Sequence, residues 1–350
     1  MKMAKPNHGS IVSDYVHQLL AEREPGAGGI GQQVREVARN NADGDPDVLP
    51  GQIILVHDGN QTTVATLAEA IEDAVDGDTI LVGAGVYTES LTINESLTIL
   101  GAEGATLNGG IYIGEGGDGT VIDNLDIDGG ATVAGESGLI GVFVQANDVT
   151  ISDATFTGDE TAGTADRGIL TSTGDFEGLT VSGNTFTGWD TGVYLNPGMD
   201  ATVTGNTFTG NEVGLSADQD ANTVVQISGN SFSSSGLEHI GFGVLGVDAN
   251  EDIGDQVFDN TFDDSAPEVS VYLLGDNQTV VASDAADVFI WTDAGDAWTI
   301  SEFDAAADLI DLGGAPYVTV VDGGNVEVTI DGTDVIVIAG QTSFDPGWIV

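Results

Sequence analysis

The sequence predicts an all-β solenoid, and three observations carry that prediction. A six-residue pattern (an aliphatic residue, two spacers, Asn, one spacer, Phe) occurs four times in one stretch of the chain. The chain contains 51 glycines, as closely stacked turns require. Its hydrophobic content of 41% is enough to bury a core and argues against a disordered acidic chain.

The repeated pattern starts at Val181, Val203, Ile227 and Val257, a spacing typical of stacked repeats. One repeat cannot bury its own apolar face, so successive coils must stack and share an interior. Matching amides one above another then form a hydrogen-bonded ladder. The predicted ladder residues are Asn184, Asn206, Asn230 and Asn260. An open alternative is that the Asn-Thr-Phe segments mark turns between antiparallel strands.

The same register extends backwards to Ile122 and Ile151, which brings the predicted coils to six. Upstream of them the sequence predicts a short helix. Thr66 and Glu69 have the spacing of a capping box, and Gly77 is a helix stop. The predicted apolar stripe of this helix is Leu67, Ala70, Ile71, Ala74 and Val75. Such a helix can cover the open end of a solenoid.

Residues 60 to 263 contain the entry segment AIEDAVDGDTILVGAGVYTESLTI and the GNTFTG coils. On these segments the chain resembles a right-handed parallel β-helix of the pectin lyase-like superfamily, in the style of periplasmic accessory and carbohydrate-binding β-helix proteins. We expect an N-terminal arm of short helices with an acidic linker at 1–50, the β-helix at 51–275 and a C-terminal β domain with the secretion segment at 276–350. The resemblance covers the second of these. The resemblance implies no single activity, because lyases, glycosidases, epimerases and adhesins share this scaffold.

The charge is strongly one-sided, with 57 acidic against 6 basic residues and a formal net charge of −51. Such a surface repels nucleic acid and anionic membranes, so neither is an expected partner. No segment approaches the roughly 20 apolar residues that a membrane-spanning helix needs. We therefore expect a protein without membrane insertion, secreted to the outside or the cell surface of a bacterium.

Residues 284–350 resemble the terminal segment of RTX-type proteins that are exported by type I secretion, through motifs such as Asp287-Val288-Phe289 and the apolar tail Trp348-Ile349-Val350. The resemblance implies an uncleaved export signal. Asp304, Asp308 and Asp311 match acidic positions of that segment and are the candidate Ca²⁺ ligands, although the tandem glycine-rich repeats that bind calcium in the family are missing. No organic cofactor is expected. The open alternative is a plain β cap on the solenoid.

Five of the six cations lie within residues 1–39, which predicts an N-terminal arm that differs in charge from the acidic body. An apolar, comparatively basic arm is attracted to an acidic surface. Docking on its own body makes it a cap, whereas docking on the next copy builds a filament. The residues predicted to form the arm's apolar face and its cations are Ile11, Val12, Tyr15, Val16, Leu19, Leu20, Arg23, Arg35 and Arg39.

Catalytic signals are weak. Arg167 is the one cation beyond residue 40, and with Asp166 it forms the candidate catalytic pair; the alternative is a surface Arg paired with neighbouring acids. We interpret His239, which follows Glu238, as a polar residue in a turn. Trp189 is the candidate for an exposed ring on which a sugar could stack. We therefore expect a structural or adhesive surface protein that assembles with itself. We do not expect it to be an enzyme. The alternative is a polysaccharide-binding or polysaccharide-modifying β-helix.

Overall fold

The computed structural model describes residues 48–158, 165–219, 223–244, 250–252, 256–263, 266–274, 278–283, 285–292 and 297–350. The predicted N-terminal arm lies outside these ranges. The described chain is nearly all β and divides into two compact units. Unit 1 runs to Ser172 and includes Phe176–Asp190; unit 2 comprises Thr173–Asp175 and Thr191–Val350. The domain boundaries predicted at 50/51 and 275/276 stay predictions.

Unit 1 is built from short strands and a short helix, α1, at Leu67–Asp73, with a 3₁₀ turn at Glu115–Gly117. In chain order its strands are β1 (Ile53–His57), β2 (Asn60–Val64), β3 (Thr79–Val82), β4 (Gly85–Tyr87), β5 (Leu91–Ile93), β6 (Thr98–Gly101), β7 (Ala105–Asn108), β8 (Ile111–Ile113), β9 (Val121–Asp123), β10 (Asp126–Asp128), β11 (Ile140–Val144), β12 (Thr150–Ser152), β13 (Thr155–Thr157), β14 (Arg167–Thr171), β15 (Phe176–Ser182) and β16 (Thr185–Thr187).

These strands form three sheets that the chain visits in turn. Within unit 1, sheet A has the order β2-β1-β3-β6-β9-β12-β15, sheet B the order β4-β7-β10-β13-β16 and sheet C the order β5-β8-β11-β14. From β3 onward all pairs are parallel, and Ile151 stands between Ile122 and Val181 in register. The predicted parallel solenoid is confirmed. The alternative of antiparallel turns is excluded, because β16, the strand of an Asn-Thr-Phe segment, pairs in parallel with β13.

The interior of unit 1 consists of columns of equivalent side chains. Ile122, Ile151 and Val181 of sheet A are 0% exposed, and the rings of Phe156 and Phe186 in sheet B stack with centroids 4.7 Å apart. Burying each such side chain stabilises the fold by about 1.5–3 kcal/mol. Stacking therefore provides the core that no single coil could form.

The N-terminal end of unit 1 is closed by α1 and by β1, which pairs antiparallel with both β2 and β3. Thr66 Oγ1 accepts a hydrogen bond from the N–H of Glu69 at 3.0 Å, so the predicted N-cap is confirmed. The predicted C-terminal end of the helix is wrong. The helix stops at Asp73, and Val75 is 50% exposed, because the carboxylate of Asp78 accepts the Val75 N–H at 3.0 Å and draws the chain out of the helix.

Unit 2 continues the same kind of coil and then changes it, ending in a 3₁₀ turn at Pro346–Trp348. In chain order its strands are β17 (Thr191–Leu195), β18 (Met199–Thr204), β19 (Thr207–Thr209), β20 (Val213–Gln219), β21 (Val225–Ser228), β22 (Ser231–Ser233), β23 (Glu238–Val244), β24 (Asn250–Asp252), β25 (Val257–Phe258), β26 (Thr261–Phe262), β27 (Val269–Leu273), β28 (Gln278–Val281), β29 (Asp287–Trp291), β30 (Ala297–Ser301), β31 (Leu309–Asp311), β32 (Tyr317–Asp322), β33 (Asn325–Ile330) and β34 (Asp334–Ile338).

In unit 2, sheet A contains β18-β21-β25, sheet B contains β19-β22-β26, sheet C has the order β17-β20-β23-β27-β29-β31, and a fourth sheet, D, has the order β24-β28-β30-β34-β33-β32. After β26 the chain alternates between sheets C and D. Strands β29 and β31 extend sheet C by parallel pairing, and β32, β33 and β34 finish sheet D as antiparallel neighbours. The segment that resembles an export signal is therefore β-structured, and its role in export stays a prediction.

Candidate functional site

The predicted asparagines lie inside the coils. Asn206 and Asn230 are each 1% exposed. Asn206 donates from its backbone N–H and its Nδ2 to Asn230 Oδ1, at 2.9 and 3.0 Å. Asn230 makes the same two bonds to Asn260 Oδ1, at 2.9 and 3.0 Å. In unit 1, Asn184 accepts the N–H of Ala154 at 3.0 Å and donates to Ile151 O. The amides therefore fasten successive coils and face no ligand.

The candidate catalytic pair lies at the start of β14. Asp166 is 4% exposed, its Oδ1 accepts the N–H of Leu139 at 2.6 Å, and its own N–H donates to Asp190 Oδ2 at 2.8 Å. Arg167 donates from Nη1 to the carbonyls of Ser137 and Ala165, at 3.2 and 3.0 Å. These contacts hold neighbouring turns together, and a catalytic role for the pair stays a prediction.

The three candidate calcium ligands accept backbone N–H groups, and Asp304 and Asp308 belong to the same turn. Asp304 Oδ1 accepts the N–H of Ala306 at 2.9 Å, and Asp311 Oδ1 accepts the N–H of Gly313 at 2.8 Å. Asp308 is buried, and its two oxygens accept the N–H groups of Asp287 and Asp304, at 3.1 and 2.7 Å. Across the described parts of the chain, no group of three or more His, Cys, Asp or Glu side chains is arranged to hold a metal ion. Calcium binding stays a prediction.

Two interpretations from sequence are wrong. Trp189 is 1% exposed, so its ring is part of the core and offers no face to a sugar. His239 is not in a turn but on β23, 0% exposed, with its ring 6.1 Å from that of Phe232 and 5.7 Å from that of Phe262. Its ring nitrogens are bonded to Ser235 and Asp263.

A cluster of polar side chains lies on the outer face of sheet C in unit 2. Along β23, Ile240 and Phe242 are 0% exposed and point inward, so alternation turns Gly241 and Gly243 outward. The space that a Cβ at Gly241 would fill is taken by the carboxylate of Glu238, and the corresponding space at Gly243 by the carboxylate of Asp218. The two carboxyl groups therefore lie over outward positions two residues apart, a distance of about 7 Å along a strand.

Each carboxyl group is hydrogen-bonded to a tyrosine from a neighbouring coil. Tyr272 donates its hydroxyl to Glu238 Oε2 at 2.9 Å, and Tyr194 donates to Asp218 Oδ2 at 2.6 Å. Burial raises the pKa of Glu238, and hydrogen bonds from Ser270 and Tyr272 oppose that rise. Burial likewise raises the pKa of Asp218, opposed by the bond from Tyr194. The pKa of Tyr272 is raised by burial first and then by the charge of Glu238.

We call Tyr194, Asp218, Glu238, Ser270 and Tyr272 the carboxyl–tyrosine face. It offers several hydrogen-bond donors and acceptors that a polar ligand can contact. Sequence reasoning missed it, because two acids among 57 carry no signal. The alternation Gly241-Phe242-Gly243 inside a strand was the available clue, since glycine there often marks a close approach of backbone or ligand.

Stacked three-sheet coils with an internal asparagine ladder define a parallel β-helix protein. Residues 71–277 match the family model described as "Periplasmic copper-binding protein (NosD)", so the chain belongs to the NosD family. No curated protein matches the chain. A solved structure titled "a new PL6 alginate lyase complex with trisaccharide" is similar over 70% of this chain and 50% of its own length, with 15% sequence identity and a TM-score of 0.31. No helix of the described residues is long and apolar enough to span a membrane.

The family description names copper, and the described residues do not assemble a site for it. Copper favours imidazole and sulfur ligands. Both ring nitrogens of His239 are engaged inside the core, Met199 is 0% exposed, and His57 is hydrogen-bonded through Nδ1 to Asp78 at 2.8 Å. The contact with Asp78 raises the pKa of His57. His57 belongs to unit 1, whereas Met199 and His239 belong to unit 2, and neither of these two has a free ligand atom at the surface. The other histidines and methionines, Met1, Met3, His8 and His17, lie outside the described residues.

Proposed function

We propose that this protein is a non-cytoplasmic β-helix that binds a neutral polysaccharide on the carboxyl–tyrosine face. The observation that carries the proposal is the pairing of two partly buried carboxyl groups with two tyrosine hydroxyls over Gly241 and Gly243. Sugar hydroxyls both donate and accept hydrogen bonds, so they match this combination of groups. The periplasmic description of the NosD family supports a location outside the cytoplasm.

The expected ligand is neutral because the net charge of −51 repels an anionic polymer. The carboxyl oxygens of Asp218 and Glu238 already accept hydroxyl groups of tyrosines, and they can accept the hydroxyl groups of a neutral sugar in the same way. Parallel strands stacked about 4.8 Å apart also place equivalent side chains in a row, along which an extended chain can lie.

Replacing Tyr272 by Phe is expected to weaken polysaccharide binding about tenfold, because one hydrogen bond to a polar ligand contributes roughly 1–1.5 kcal/mol. The measurement is affinity electrophoresis or calorimetry with a panel of soluble neutral glucans, mannans and galactans. Tyr87→Phe is the matched control, because it also removes a hydroxyl bonded within the fold, to Gly83 O at 2.7 Å, but in unit 1. Equal binding by the two variants, or no binding to any member of the panel, would refute the proposal.

A second candidate is a structural or adhesive surface protein, and the uneven charge favours it. Residues 1–39 hold five cations and four acids, whereas Arg167 is the one cation among residues 40–350. In this second proposal the arm docks on a neighbouring copy and builds filaments. The C-terminal segment directs type I secretion to the cell surface, and calcium binds in that segment.

Deleting residues 1–40 is expected to leave a folded but unassembled protein, because the deletion removes the arm that makes the contact. Unchanged particle size in light scattering would contradict it.

A further inference from the structure

Strand β32 forms an open edge of sheet D. It pairs with β33 on one side, antiparallel from Tyr317 opposite Ile330 to Asp322 opposite Asn325, and it is the last strand in the order of the sheet. Within the described chain no strand pairs with its other side. A free edge of this kind presents a row of backbone N–H and C=O groups to a new strand.

The side chains of β32 are apolar and exposed. Val318 is 65% exposed, Val320 56%, Val321 48% and Tyr317 37%. Soluble proteins usually protect free edges with lysine, proline, a bulge or an inward charge, and from Tyr317 to Val321 this strand has none of these. In a chain with 57 acidic residues, an uncharged edge of five residues is an interaction surface.

We infer that β32 docks against β32 of a second copy of this chain, so that the two sheets D join edge to edge as an antiparallel pair. The register follows from the two faces of the strand. Val318 and Val320 lie opposite Thr329 and Glu327 on the outer face of the sheet. Tyr317 and Val321 lie opposite Ile330 and Val326, which are 0% exposed, and so belong to the inner face.

A twofold axis through Thr319 satisfies both faces at once. It sets Val318 against Val320 of the other copy on the outer face, and Tyr317 against Val321 on the inner face. Valine–valine and aromatic–valine neighbours are favourable cross-strand pairs. The same register places each Asp322 opposite Pro316, so that the two carboxylates stand at opposite ends of the paired strands. A second copy is therefore an occupant that matches the edge in length and in the pattern of apolar side chains on both faces.

Salt controls this association. Each copy carries a net charge of −51, so the two bodies repel each other at low ionic strength. Screening shortens the range of that repulsion from about 30 Å at 0.01 M to about 3 Å at 1 M salt, whereas the apolar and backbone contacts of β32 persist. We expect a monomer at low salt and a dimer in about 0.5 M sodium chloride.

The sharpest test is a cysteine at the centre of the pair, because the chain contains no natural cysteine. In the proposed pair, residue 319 of one copy lies opposite residue 319 of the other, with their Cα atoms about 4.5–5.5 Å apart. Two cysteines introduced by Thr319→Cys are therefore within the range of a disulfide. Mild oxidation in high salt is expected to yield a covalent dimer. Thr329→Cys on β33 is the matched control, since it lies one strand further in and cannot reach its counterpart. Equal cross-linking of the two variants would overturn the proposal.

A second variant separates this interface from the N-terminal arm. Val320→Lys puts a charge on the exposed edge, and it is expected to leave the fold unchanged by circular dichroism while sedimentation in high salt shows a monomer. Deleting residues 1–40 is expected to leave the dimer intact. A dimer that survives Val320→Lys but disappears with the deletion would mean that the arm makes the contact, and a wild-type monomer at all salt concentrations would also overturn the inference.

Discussion

Asn230→Ala is expected to destabilise unit 2 by about 4 kcal/mol. Asn230 is 1% exposed and its amide makes four hydrogen bonds. Oδ1 accepts from the N–H and Nδ2 of Asn206, and Nδ2 donates to Val203 O and Asn260 Oδ1 at 2.9 and 3.0 Å. Alanine removes all four in a dry interior, where each buried polar group left without its partner costs about 1–3 kcal/mol.

The measurement is urea unfolding followed by far-ultraviolet circular dichroism. Asn260→Ala is the matched control, because Asn260 makes similar bonds but is half-buried, so water can replace the lost amide. We expect its loss to be about 1–2 kcal/mol. If Asn230→Ala were as stable as the wild type, the ladder would not hold the coils together, and the stacked apolar columns alone would account for their stability.

Asp287→Asn is expected to stabilise the C-terminal coils at alkaline pH and to have little effect in acid. Asp287 is 0% exposed and stands in register with Val269 of the adjoining strand, at a position that β27 fills with an apolar side chain. Its oxygens accept the N–H and hydroxyl of Ser283, at 2.7 and 2.8 Å. Asparagine has the same shape and keeps both contacts, accepting the N–H and donating to the hydroxyl.

The pH dependence follows from the pKa of Asp287. Burial raises it from 3.8 to about 7; the bonds from Ser283 lower it, and the charges of Asp308 and Glu268 raise it. Burial also raises the pKa of Asp308 to about 6. Its hydrogen bonds from the backbone of Asp287 and Asp304 lower this pKa, and the charge of Asp304 raises it. Because the folded-state pKa lies above the unfolded one, the stability that protonated Asp287 contributes is complete below pH 4 and is lost as pH rises through 7.

At pH 8 the wild type is therefore expected to be less stable than Asp287→Asn by an amount on the order of 4 kcal/mol, and at pH 4 the two should unfold at similar temperatures. Thermal unfolding at pH 4, 6 and 8 measures this. Asp311→Asn serves as control, since its carboxylate also accepts a backbone N–H but lies half-buried at a turn. A constant difference between wild type and Asp287→Asn across this range would contradict the prediction.

The coil architecture was predictable because its signal is local and repeated. Each Asn-Thr-Phe phrase specifies one bend and one inward ring, and the same phrase at intervals of one coil requires stacking. The N-cap at Thr66 was predictable for the same reason, since its partner Glu69 is three residues away. The helix end was not, because it depends on where the side chain of Asp78 falls after the chain has turned.

The sequence by itself determined the class of fold, the acidic surface and the identity of the ladder residues, because periodicity and composition are properties of the chain alone. Only the tertiary structure decided that Trp189 and His239 are buried, that Glu238 and Asp218 share one face, and that β32 is an open edge. The hydrogen bonds of the carboxyl–tyrosine face, for example, join residues that are one coil apart in the sequence. Tyr272 lies 34 residues from Glu238, and Tyr194 lies 24 from Asp218. Because coil lengths vary, stacking alone decides which side chains become neighbours.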